Sequence, residues 1–308
     1  MPLLSIIIAA HNAAAYLQDT LARLTGELAG VGNVEVLLID DASSDATAAI
    51  AAAHASQHPW LRVQRAEFRN VGKVRQLGVT MASGRYISFL DSDDAYVDGA
   101  VAWLLAQLSS QQPDALLAPL REVSVLDSRA ALPQCRPIRR EAAIDLFLEH
   151  RHIQGHLIGK CFSRALLLDN PVPPLTAYED MALLPRLLLQ STHILLADAP
   201  FYCYLKRPGS LSCRQDWPRL AEQVQALQQI DETLGTVVDA ERLDAFWVNL
   251  ADALLASPPG RARLAEFPQI AARLRRINGL RFIAARRIRT SIKRKYLALC
   301  LQRSPWHG

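Results

Sequence analysis

Short apolar runs alternate with helix-like segments over the first 90 residues, and this alternation limits the fold more than any other feature of the sequence. Residues 3–10 are almost entirely apolar and rich in β-branched side chains, which is typical of a strand buried on both faces. Similar runs predict strands at 34–39, 61–65 and 86–90. Strands that alternate with helices across short connections favour a mostly parallel sheet flanked by helices, so we predict an α/β fold.

The size and hydropathy of the chain limit its class. With 308 residues, half of them hydrophobic, the chain can build a sizeable core in one or two domains. No signal peptide precedes the first predicted strand, and the longest apolar runs are shorter than the ~20 residues that a membrane span needs. We therefore expect a cytoplasmic protein.

Acidic clusters follow two of the predicted strands. Asp40 and Asp41 come directly after the second strand, and Asp91, Asp93 and Asp94 follow the fourth. Ligands of open α/β sheets bind beyond the carboxyl ends of the strands. Close carboxylates repel one another, and Mg²⁺ and Mn²⁺ are often bound by one or two carboxylates together with substrate phosphates. Each cluster alone is also compatible with helix capping, but their shared position at strand ends favours a ligand site.

The positive charge is concentrated near the C-terminus. Residues 261–303 hold 13 Lys and Arg and one acid, whereas the rest of the chain holds 21 bases and 29 acids. Basic and apolar residues interleave over 273–295, which predicts a basic amphipathic helix, or two, suited to an anionic membrane surface. A solvated basic helix packed on the rest of the protein is the alternative. Nucleic-acid binding is not expected, because no nucleic-acid-binding motif is present.

Six short motifs follow one another in a fixed order along residues 4–212. They are Ser5-Ile-Ile-Ile-Ala-Ala-His-Asn12, Ile39-Asp-Asp-Ala-Ser-Ser-Asp45, Asn70-Val-Gly72, Ala82-Ser-Gly-Arg-Tyr-Ile-Ser-Phe-Leu-Asp-Ser-Asp-Asp94, Glu179-Asp180 and Phe201-Tyr-Cys-Tyr-Leu-Lys-Arg-Pro-Gly-Ser-Leu-Ser212. In this order they resemble the inverting family 2 glycosyltransferases of bacterial capsule and cell-wall synthesis. That resemblance implies the GT-A fold, which binds nucleotide-sugars.

The resemblance also implies roles on the nucleoside side of a donor site. The backbone around Ala9 and His11 and the carboxylate of Asp41 would hold the nucleobase of a UDP-sugar, with Asp40 as a neighbouring structural acid. His11 stands where the family often has an aromatic residue that stacks on the base. An imidazole ring can stack as well, but this departure leaves the identity of the base open.

Further positions would bind the rest of the donor. Asp91 would contact the ribose and is, with Asp93, a candidate ligand for Mn²⁺ or Mg²⁺, while Asp94 would support these ligands. Arg207 would reach the diphosphate, or else lie in a solvated turn. Arg75 would bind a phosphate, or else be an ordinary surface arginine, because the segment before it is about two residues shorter than in the family.

On the acceptor side, the resemblance makes Asp180 the general base and places Glu179 beside it to orient the site. His156 and Lys160 are weaker candidates for lining the acceptor pocket, because single residues of these types are more often structural. The implied reaction is a metal-dependent, inverting transfer of a sugar to a hydroxyl of a glycan or a lipid-linked acceptor in surface polysaccharide synthesis. Peripheral attachment to the inner face of the cytoplasmic membrane would suit the basic tail, and apolar helix faces would suit a homodimer.

The domain organisation follows from the motifs and the charge. We expect a GT-A catalytic domain at 1–215, composed of a nucleotide-sugar-binding half at 1–115 and an acceptor-binding half at 116–215. A helical C-terminal region that contains the basic tail would occupy 216–308. Within the acceptor-binding half, residues 194–197 are predicted to form an edge strand.

Three other functions compete with glycosyl transfer. A non-catalytic nucleotide- or glycan-binding module could keep the same fold, although every acid of the motifs is present. A sugar nucleotidyltransferase shares the sheet architecture, but such enzymes usually carry a Gly-rich, Arg-containing loop after the first strand. This chain has His-Asn-Ala-Ala-Ala at residues 11–15 instead. A nucleic-acid-binding protein would leave the acidic clusters unexplained.

Overall fold

The chain forms two compact units, Met1–Asp216 and Trp217–Gly308. The functional roles predicted for 1–115, 116–215 and 216–308 stay predictions, because the compactness of the two units does not test them. The computed structural model describes residues 1–149, 152–206, 217–256 and 266–301.

Eleven strands are described in the first unit, and they form two sheets. In chain order the strands are β1 (Leu4–Ala10), β2 (Val34–Asp41), β3 (Leu61–Ala66), β4 (Tyr86–Asp91), β5 (Ala95–Tyr96), β6 (Ala115–Leu117), β7 (Arg121–Val123), β8 (Cys135–Ile138), β9 (Lys160–Ser163), β10 (Ile194–Ala197) and β11 (Tyr202–Leu205).

The larger sheet has the order β3-β2-β1-β4-β9-β6-β10-β8. Its first four strands are mutually parallel, which confirms the fold predicted for this part of the chain. Beyond β4 the sheet is mixed, because β9 runs antiparallel to both β4 and β6, and β8 runs antiparallel to β10. The prediction that residues 194–197 form an edge strand is wrong. This strand, β10, pairs with β6 on one side and with β8 on the other, so β8 is the edge.

Helices cover this sheet and fix its short connections. In chain order they are α1 (Ala14–Leu28), α2 (Thr47–Gln57), α3 (Val71–Met81), α4 (Ala100–Gln111), α5 (Arg140–Glu149), α6 (Arg164–Asp169) and α7 (Glu179–Gln190). The apolar side chains of α1 recur at helical spacing and are buried. The side chain of Asn70 caps α3 by accepting a hydrogen bond from the backbone N–H of Lys73 at 2.9 Å. This cap starts α3 at the edge where β1, β2 and β4 end.

A small second sheet follows the acidic loop after β4. In it, β11 pairs antiparallel with β5 and parallel with β7. Because β5 begins at Ala95, directly after Asp94, this sheet holds the loop that carries the second acidic cluster.

The second unit is helical in the residues that are described. Its helices are α8 (Trp217–Leu234), α9 (Ala240–Leu255), α10 (Pro268–Arg276), α11 (Gly279–Ala284) and α12 (Thr290–Leu301). Both α10 and α12 pack against α9. In these described parts of the chain, no helix is long and apolar enough to cross a membrane.

The basic tail is not the one or two continuous helices that were predicted over 273–295. The chain leaves the helical conformation at Ile277, and the side chain of Asn278 caps a new helix by accepting a hydrogen bond from Arg281 N at 3.2 Å. Apolar side chains that would have faced a membrane, among them Ile277 and Phe282, are buried within the unit. Part of the charge is neutralised there too, since Arg273 pairs with Asp244 at 2.7 Å.

Gly78 lies where α3 approaches the sheet too closely for a side chain. A Cβ atom at this position would lie 2.5 Å from Cγ2 of Ile7 in β1. We expect Gly78→Ala to lower the free energy of unfolding by about 1–3 kcal/mol, the usual cost of overpacking a core. Urea unfolding followed by circular dichroism measures this change.

Gly26→Ala is the matched control, because Gly26 also lies within a helix and nothing would lie within 4 Å of its Cβ atom. Here we expect the free energy of unfolding to rise by about 0.5–1 kcal/mol, because alanine restricts the unfolded backbone. Equal effects of the two substitutions would contradict the close packing of α3 on β1.

Candidate active site

The carboxyl ends of β1, β2 and β4 lie side by side at one edge of the larger sheet. Ala9 is in register with Asp91 of β4, and Ala10 is in register with Asp40 of β2. This register places both acidic clusters beside the end of the first strand, as the sequence predicted. This is the edge at which open α/β sheets bind ligands.

His11 is exposed at this edge, and its ring is fixed by two neighbours. Its Nδ1 lies 2.6 Å from the carbonyl oxygen of Asp41. A carbonyl oxygen can only accept, so Nδ1 carries the proton and Nε2 is left to accept from Asn12 Nδ2 at 3.2 Å. Asn12 is itself held by the backbone N–H of Ser44, which donates to Asn12 Oδ1 at 2.8 Å. The imidazole is thus presented in one tautomer and one orientation.

Asp41 holds the loop that leads into α3. Its Oδ1 accepts from the backbone N–H groups of Phe68 and Arg69 at 2.6 and 2.9 Å, and its Oδ2 accepts from Asn70 N at 2.9 Å. A carboxylate offers about four acceptor positions, so about one is left, on Oδ2. The sequence indicated a ligand-binding acid here but gave no sign that three backbone amides would converge on it.

Asp40 is buried behind Asp41. Its Oδ1 accepts a 3.3 Å hydrogen bond from Ser43 N, and its Oδ2 lies 3.7 Å from Nη1 of Arg65. These contacts hold the side chain of Asp40 in the protein interior at the end of β2.

Arg75 is buried between two carboxylates that are distant in sequence. Its Nη1 donates to Oε1 of Glu179, and its Nη2 donates to Oδ1 of Asp91 at 2.9 Å. Its guanidinium carbon also lies 5.9 Å from the centre of the Phe89 ring. The side chain therefore joins α3, the end of β4 and the start of α7. Neither role suggested by the sequence, a phosphate ligand or a surface arginine, describes this position, because both ends of the guanidinium group are already bonded.

Burial and charge act in opposite directions on this group of residues. Burial alone would lower the pKa of Arg75, but the carboxylates of Glu179 and Asp91 outweigh it and raise that pKa, so the guanidinium group stays charged. Burial raises the pKa of Glu179 to about 7, against the opposing effect of Arg75. Burial thus favours the neutral form of Glu179, whereas its contact with Arg75 favours the ionised form.

Asp180 follows Glu179 in the first turn of α7 and is only partly buried. Its Oδ1 accepts from the backbone N–H of Met181 at 2.7 Å. Asp180 thus lies at the N-terminus of α7, where a helix favours a negative charge. His156 and Lys160 lie close enough for the charge of Asp180 to act on both. The two carboxylates of this motif therefore have different surroundings. Glu179 is bound to Arg75, whereas the charge of Asp180 acts on His156 and Lys160.

Asp94 ties the acidic loop to the small sheet. It is fully buried, and its Oδ1 and Oδ2 accept from Leu205 N at 2.7 Å and from the Tyr202 hydroxyl at 2.8 Å. The Tyr202 oxygen in turn accepts from Asp91 N at 3.0 Å. Burial raises the pKa of Asp94 to about 8, and the charges of Asp91 and Asp93 add to the effect. Tyr202 belongs to a motif that the sequence singled out. The sequence did not predict that its hydroxyl would join Asp94 to the backbone of Asp91.

A divalent cation fits the remaining acids only with help from a ligand. Within the stretches of chain that the structure describes, no group of three or more His, Cys, Asp and Glu side chains could hold a metal ion. Asp91 and Asp93 supply two carboxylates to one loop, and a cation bound there would offset the repulsion between them. Such a site suits a cation that takes its other ligands from phosphates. Arg207, the predicted diphosphate contact, lies outside the described residues.

The fold and this site define a class of protein. Residues 5–171, slightly more than half of the chain, match the sequence model of Glycosyl transferase family 2. The chain belongs to this family. The matched segment includes the acids that follow β2 and β4 and ends before Glu179 and Asp180, so the likeness of those two residues to the family rests on their own motif.

Curated relatives and solved structures agree with this assignment. The glycosyltransferase GlyG of Streptococcus pneumoniae is 26% identical over 116 residues, which is 37% of this chain and 38% of that protein, so the match spans about two fifths of that relative's length.

Solved structures share the fold. A crystal structure of S. aureus TarS 1-349 in complex with UDP has a TM-score of 0.63 at 19% identity, covering 92% of this chain and 83% of that one. The mannosyltransferase PcManGT from Pyrobaculum calidifontis, in complex with GDP-Man and Mn²⁺, has a TM-score of 0.55 at 15% identity and covers 97% of this chain and 86% of that one. At these identities the likeness establishes the GT-A fold alone.

Removal of the Arg75 cation would leave two carboxylates without their common partner. We expect Arg75→Met to lower the free energy of unfolding by about 3–5 kcal/mol, the usual cost of breaking a buried ion pair from one side. The double variant Arg75→Met/Glu179→Gln should lose less than the sum of the single variants, with a coupling of about 0.5–3 kcal/mol. Urea unfolding of the four proteins measures both quantities.

Arg139→Met is the matched control, because Arg139 is exposed. It should change the free energy of unfolding by no more than about 0.5 kcal/mol. Additive effects in the cycle, or equal losses at residues 75 and 139, would show that Arg75 does not join α3 to α7.

Proposed function

We propose that the protein transfers a sugar from a UDP-sugar to an acceptor hydroxyl in a metal-dependent, inverting reaction. One observation carries this proposal: Arg75 bonds both Asp91, at the end of β4, and Glu179, next to Asp180. The acids of a donor site and the candidate base are thereby held at one edge of the sheet. Neither a capping role nor an acidic surface loop accounts for a buried cation shared between them.

The donor's nucleoside would lie against the ends of β1 and β2. The backbone at Ala9 and His11 would border the base, and the acceptor position left on Asp41 Oδ2 would take one base N–H. The fixed imidazole of His11 offers a flat surface for the base. A UDP complex of the TarS structure, which has the same fold, favours uracil.

The diphosphate would lie over the loop after β4. Asp93, with the second carboxylate oxygen of Asp91, would hold Mn²⁺ or Mg²⁺, and Mn²⁺ accompanies GDP-Man in the PcManGT structure. When bound, such an ion stabilises charge on the departing nucleoside diphosphate as a Lewis acid. Asp91 would also contact the ribose, and Asp94 would support both acids from the interior. Arg207 remains a proposed diphosphate ligand.

Asp180 would act as the general base. It would take the proton of the acceptor hydroxyl while that oxygen bonds to the anomeric carbon and the bond from this carbon to the diphosphate breaks. A single displacement from the opposite face inverts the anomeric configuration. Glu179, held by Arg75, would keep the first turn of α7 in place. The acceptor would be a hydroxyl of a glycan or of a lipid-linked glycan in surface polysaccharide synthesis.

Titration with UDP tests the donor site. We expect wild-type protein to bind UDP in the presence of Mn²⁺, and Asp93→Ala or EDTA to weaken binding at least tenfold, because two ligands of the bridging cation would be reduced to one or the cation removed. Isothermal titration calorimetry gives these affinities.

Asp98→Ala is the matched control, since Asp98 is an exposed carboxylate in the same stretch of chain. It should bind UDP with wild-type affinity. Binding that is indifferent to metal and to Asp93→Ala would contradict the proposed cation site. A panel with GDP, CDP and dTDP would then show whether another base fits beside His11.

Loss of the base should separate binding from turnover. We expect Asp180→Asn to lower kcat by about 10²–10⁴-fold, the usual contribution of a general base, with unchanged affinity for UDP. UDP release from UDP-sugars in the presence of simple glycosides measures turnover. Asp169→Asn, an exposed carboxylate of α6, should behave as wild type. A wild-type protein that binds UDP but turns over no sugar donor would support the alternative of a non-catalytic binding module.

The second unit favours an anionic surface as a partner. Leu280 is 87% exposed, and the same stretch of sequence contains the exposed arginines Arg276, Arg281 and Arg286. Such a surface suits anionic lipid, where each basic residue contributes about 1 kcal/mol. The apolar residues of α10 and α11 that are already buried would not contribute.

Vesicles that contain phosphatidylglycerol test this partner. We expect the protein to sediment with them, and Arg276→Glu/Arg281→Glu to weaken binding about tenfold or more. Arg136→Glu/Arg139→Glu makes the same change in charge at two exposed positions of the first unit and should leave binding unaltered. Equal losses in both variants would indicate attraction by net charge rather than by this surface.

A further inference from the structure

The connection between α6 and α7, residues 170–178, lies directly against the first turn of α3. The backbone N–H of Gly72 donates to the carbonyl oxygen of Leu175 at 3.0 Å. A Cβ atom at Gly72 would overlap the carbonyl oxygen of Pro173 and would lie 2.9 Å from Leu175 N. Backbone therefore packs on backbone here, and the glycine of the Asn70-Val-Gly72 motif makes this close approach possible.

Two side chains at the start of α3 bind the same connection. The amide Nδ2 of Asn70 donates to the carbonyl oxygen of Pro174 at 3.0 Å, and Oε1 of Gln76 accepts from Val172 N at 2.8 Å. The backbone hydrogen bond of Gly72 lies between these two contacts in sequence. The ring of Pro174 also restricts the backbone of the connection, because it fixes the φ angle. The connection is therefore held on the helix that begins at the ends of β1, β2 and β4.

The connection leads directly into the helix that carries the proposed base. Its last residue, Tyr178, has a left-handed backbone conformation with a φ angle of 64°. Residues with a Cβ atom rarely adopt this conformation, and they keep it where the surrounding structure imposes it. The connection is bound to α3 on one side of Tyr178, and Glu179 is bound to Arg75 on the other. The position of Asp180 therefore depends on both attachments.

Asn70 is also bound at the end of β2. Its backbone N–H donates to Oδ2 of Asp41 at 2.9 Å, and its Oδ1 accepts from Lys73 N at 2.9 Å to cap α3. The backbone of Asn70 is thus held by the acid proposed for the nucleobase, while its side-chain amide holds the segment that leads to Asp180. Arg75 makes a separate link, which joins the acids after β4 to α7.

We infer that Asn70 is a positioning residue that sets the place of Asp180 relative to Asp41 through the connection 170–178. This inference rests on the proposed function, in which Asp41 binds the donor and Asp180 takes a proton from the acceptor. The acceptor hydroxyl must approach the anomeric carbon within a narrow range of distances and directions, so a displacement of about 1 Å can cost about 10²-fold in rate. The hydrogen bond from Asn70 to Pro174 limits such a displacement, although both of its partners belong to the protein.

Asn70→Ser in the full-length protein separates the two functions of this side chain. Serine caps helices about as well as asparagine, so α3 should keep its cap. The serine side chain is one atom shorter and cannot place a second donor at the carbonyl oxygen of Pro174. The backbone N–H that binds Asp41 is unchanged. We therefore expect kcat to fall about 10–100-fold, while the affinity for UDP in the presence of Mn²⁺ stays at the wild-type value.

Amide hydrogen exchange followed by mass spectrometry distinguishes this role from a general effect on stability. In Asn70→Ser, peptides that cover residues 170–181 should exchange faster than in wild type, whereas peptides from α3 should keep the wild-type rate. A general loss of stability would accelerate exchange in α3 as well. Asn278→Ser is the matched control, because Asn278 caps α11 in the second unit by the same type of hydrogen bond. It should keep the wild-type kcat and the wild-type exchange of residues 170–181.

Several results would overturn the inference. An unchanged kcat in Asn70→Ser would show that the hydrogen bond to Pro174 does not affect the base. A loss of UDP affinity in parallel with kcat, or faster exchange throughout α3, would leave Asn70 as an ordinary helix cap. An equal loss of kcat in Asn278→Ser would have the same meaning. A wild-type protein that binds UDP but transfers no sugar would refute the proposed function and this inference with it, and that result is seen before any variant is compared.

Discussion

A guanidinium group held between two carboxylates joins the parts of the first unit on which the site depends. Arg75 leaves α3, bonds Asp91 at the end of β4 and reaches Glu179 at the start of α7, 104 residues further along the chain. Burying these charges is expensive, and only their mutual contacts offset the loss of water. The result is a fixed distance between the acids after β4 and the helix that carries Asp180. Packing of apolar side chains alone would not set that distance so narrowly.

Several acids can lie together at this end of the sheet because their partners differ. Each carboxylate has a different environment: Asp41 accepts three backbone amides, Asp94 accepts the Tyr202 hydroxyl and Leu205 N, and Glu179 binds Arg75. Asp41, Asp94 and Glu179 thus stabilise the structure at the carboxyl ends of the strands. Asp93 and Asp180 remain partly accessible. Burial, and not residue type, therefore separates the structural acids from those that a ligand can reach.

Sequence patterns predicted the elements whose signals are local. The buried parallel strands β1 to β4 produce apolar runs, and the acids after them mark the ligand edge, so this half of the fold could be derived. The strand β8 could not, because it is four residues long, contains Pro137 and lies at the sheet edge, where proline is tolerated. Missing β8 made β10 look like the edge. The burial of Arg75 was also unpredictable, since its partner Glu179 is brought close only by the tertiary fold.

The buried cations Arg75 and Lys160 differ in how fully neighbouring carboxylates and hydrogen-bond acceptors compensate their charges. Arg75 has two carboxylates in direct contact and remains charged at any ordinary pH. Lys160 has one long hydrogen bond, and its charge depends on pH near neutrality. A permanently charged arginine suits a fixed connection, because its own charge does not change with pH. Lys160 cannot provide such a connection, because burial favours its neutral form and its charge is lost as the pH rises through about 7.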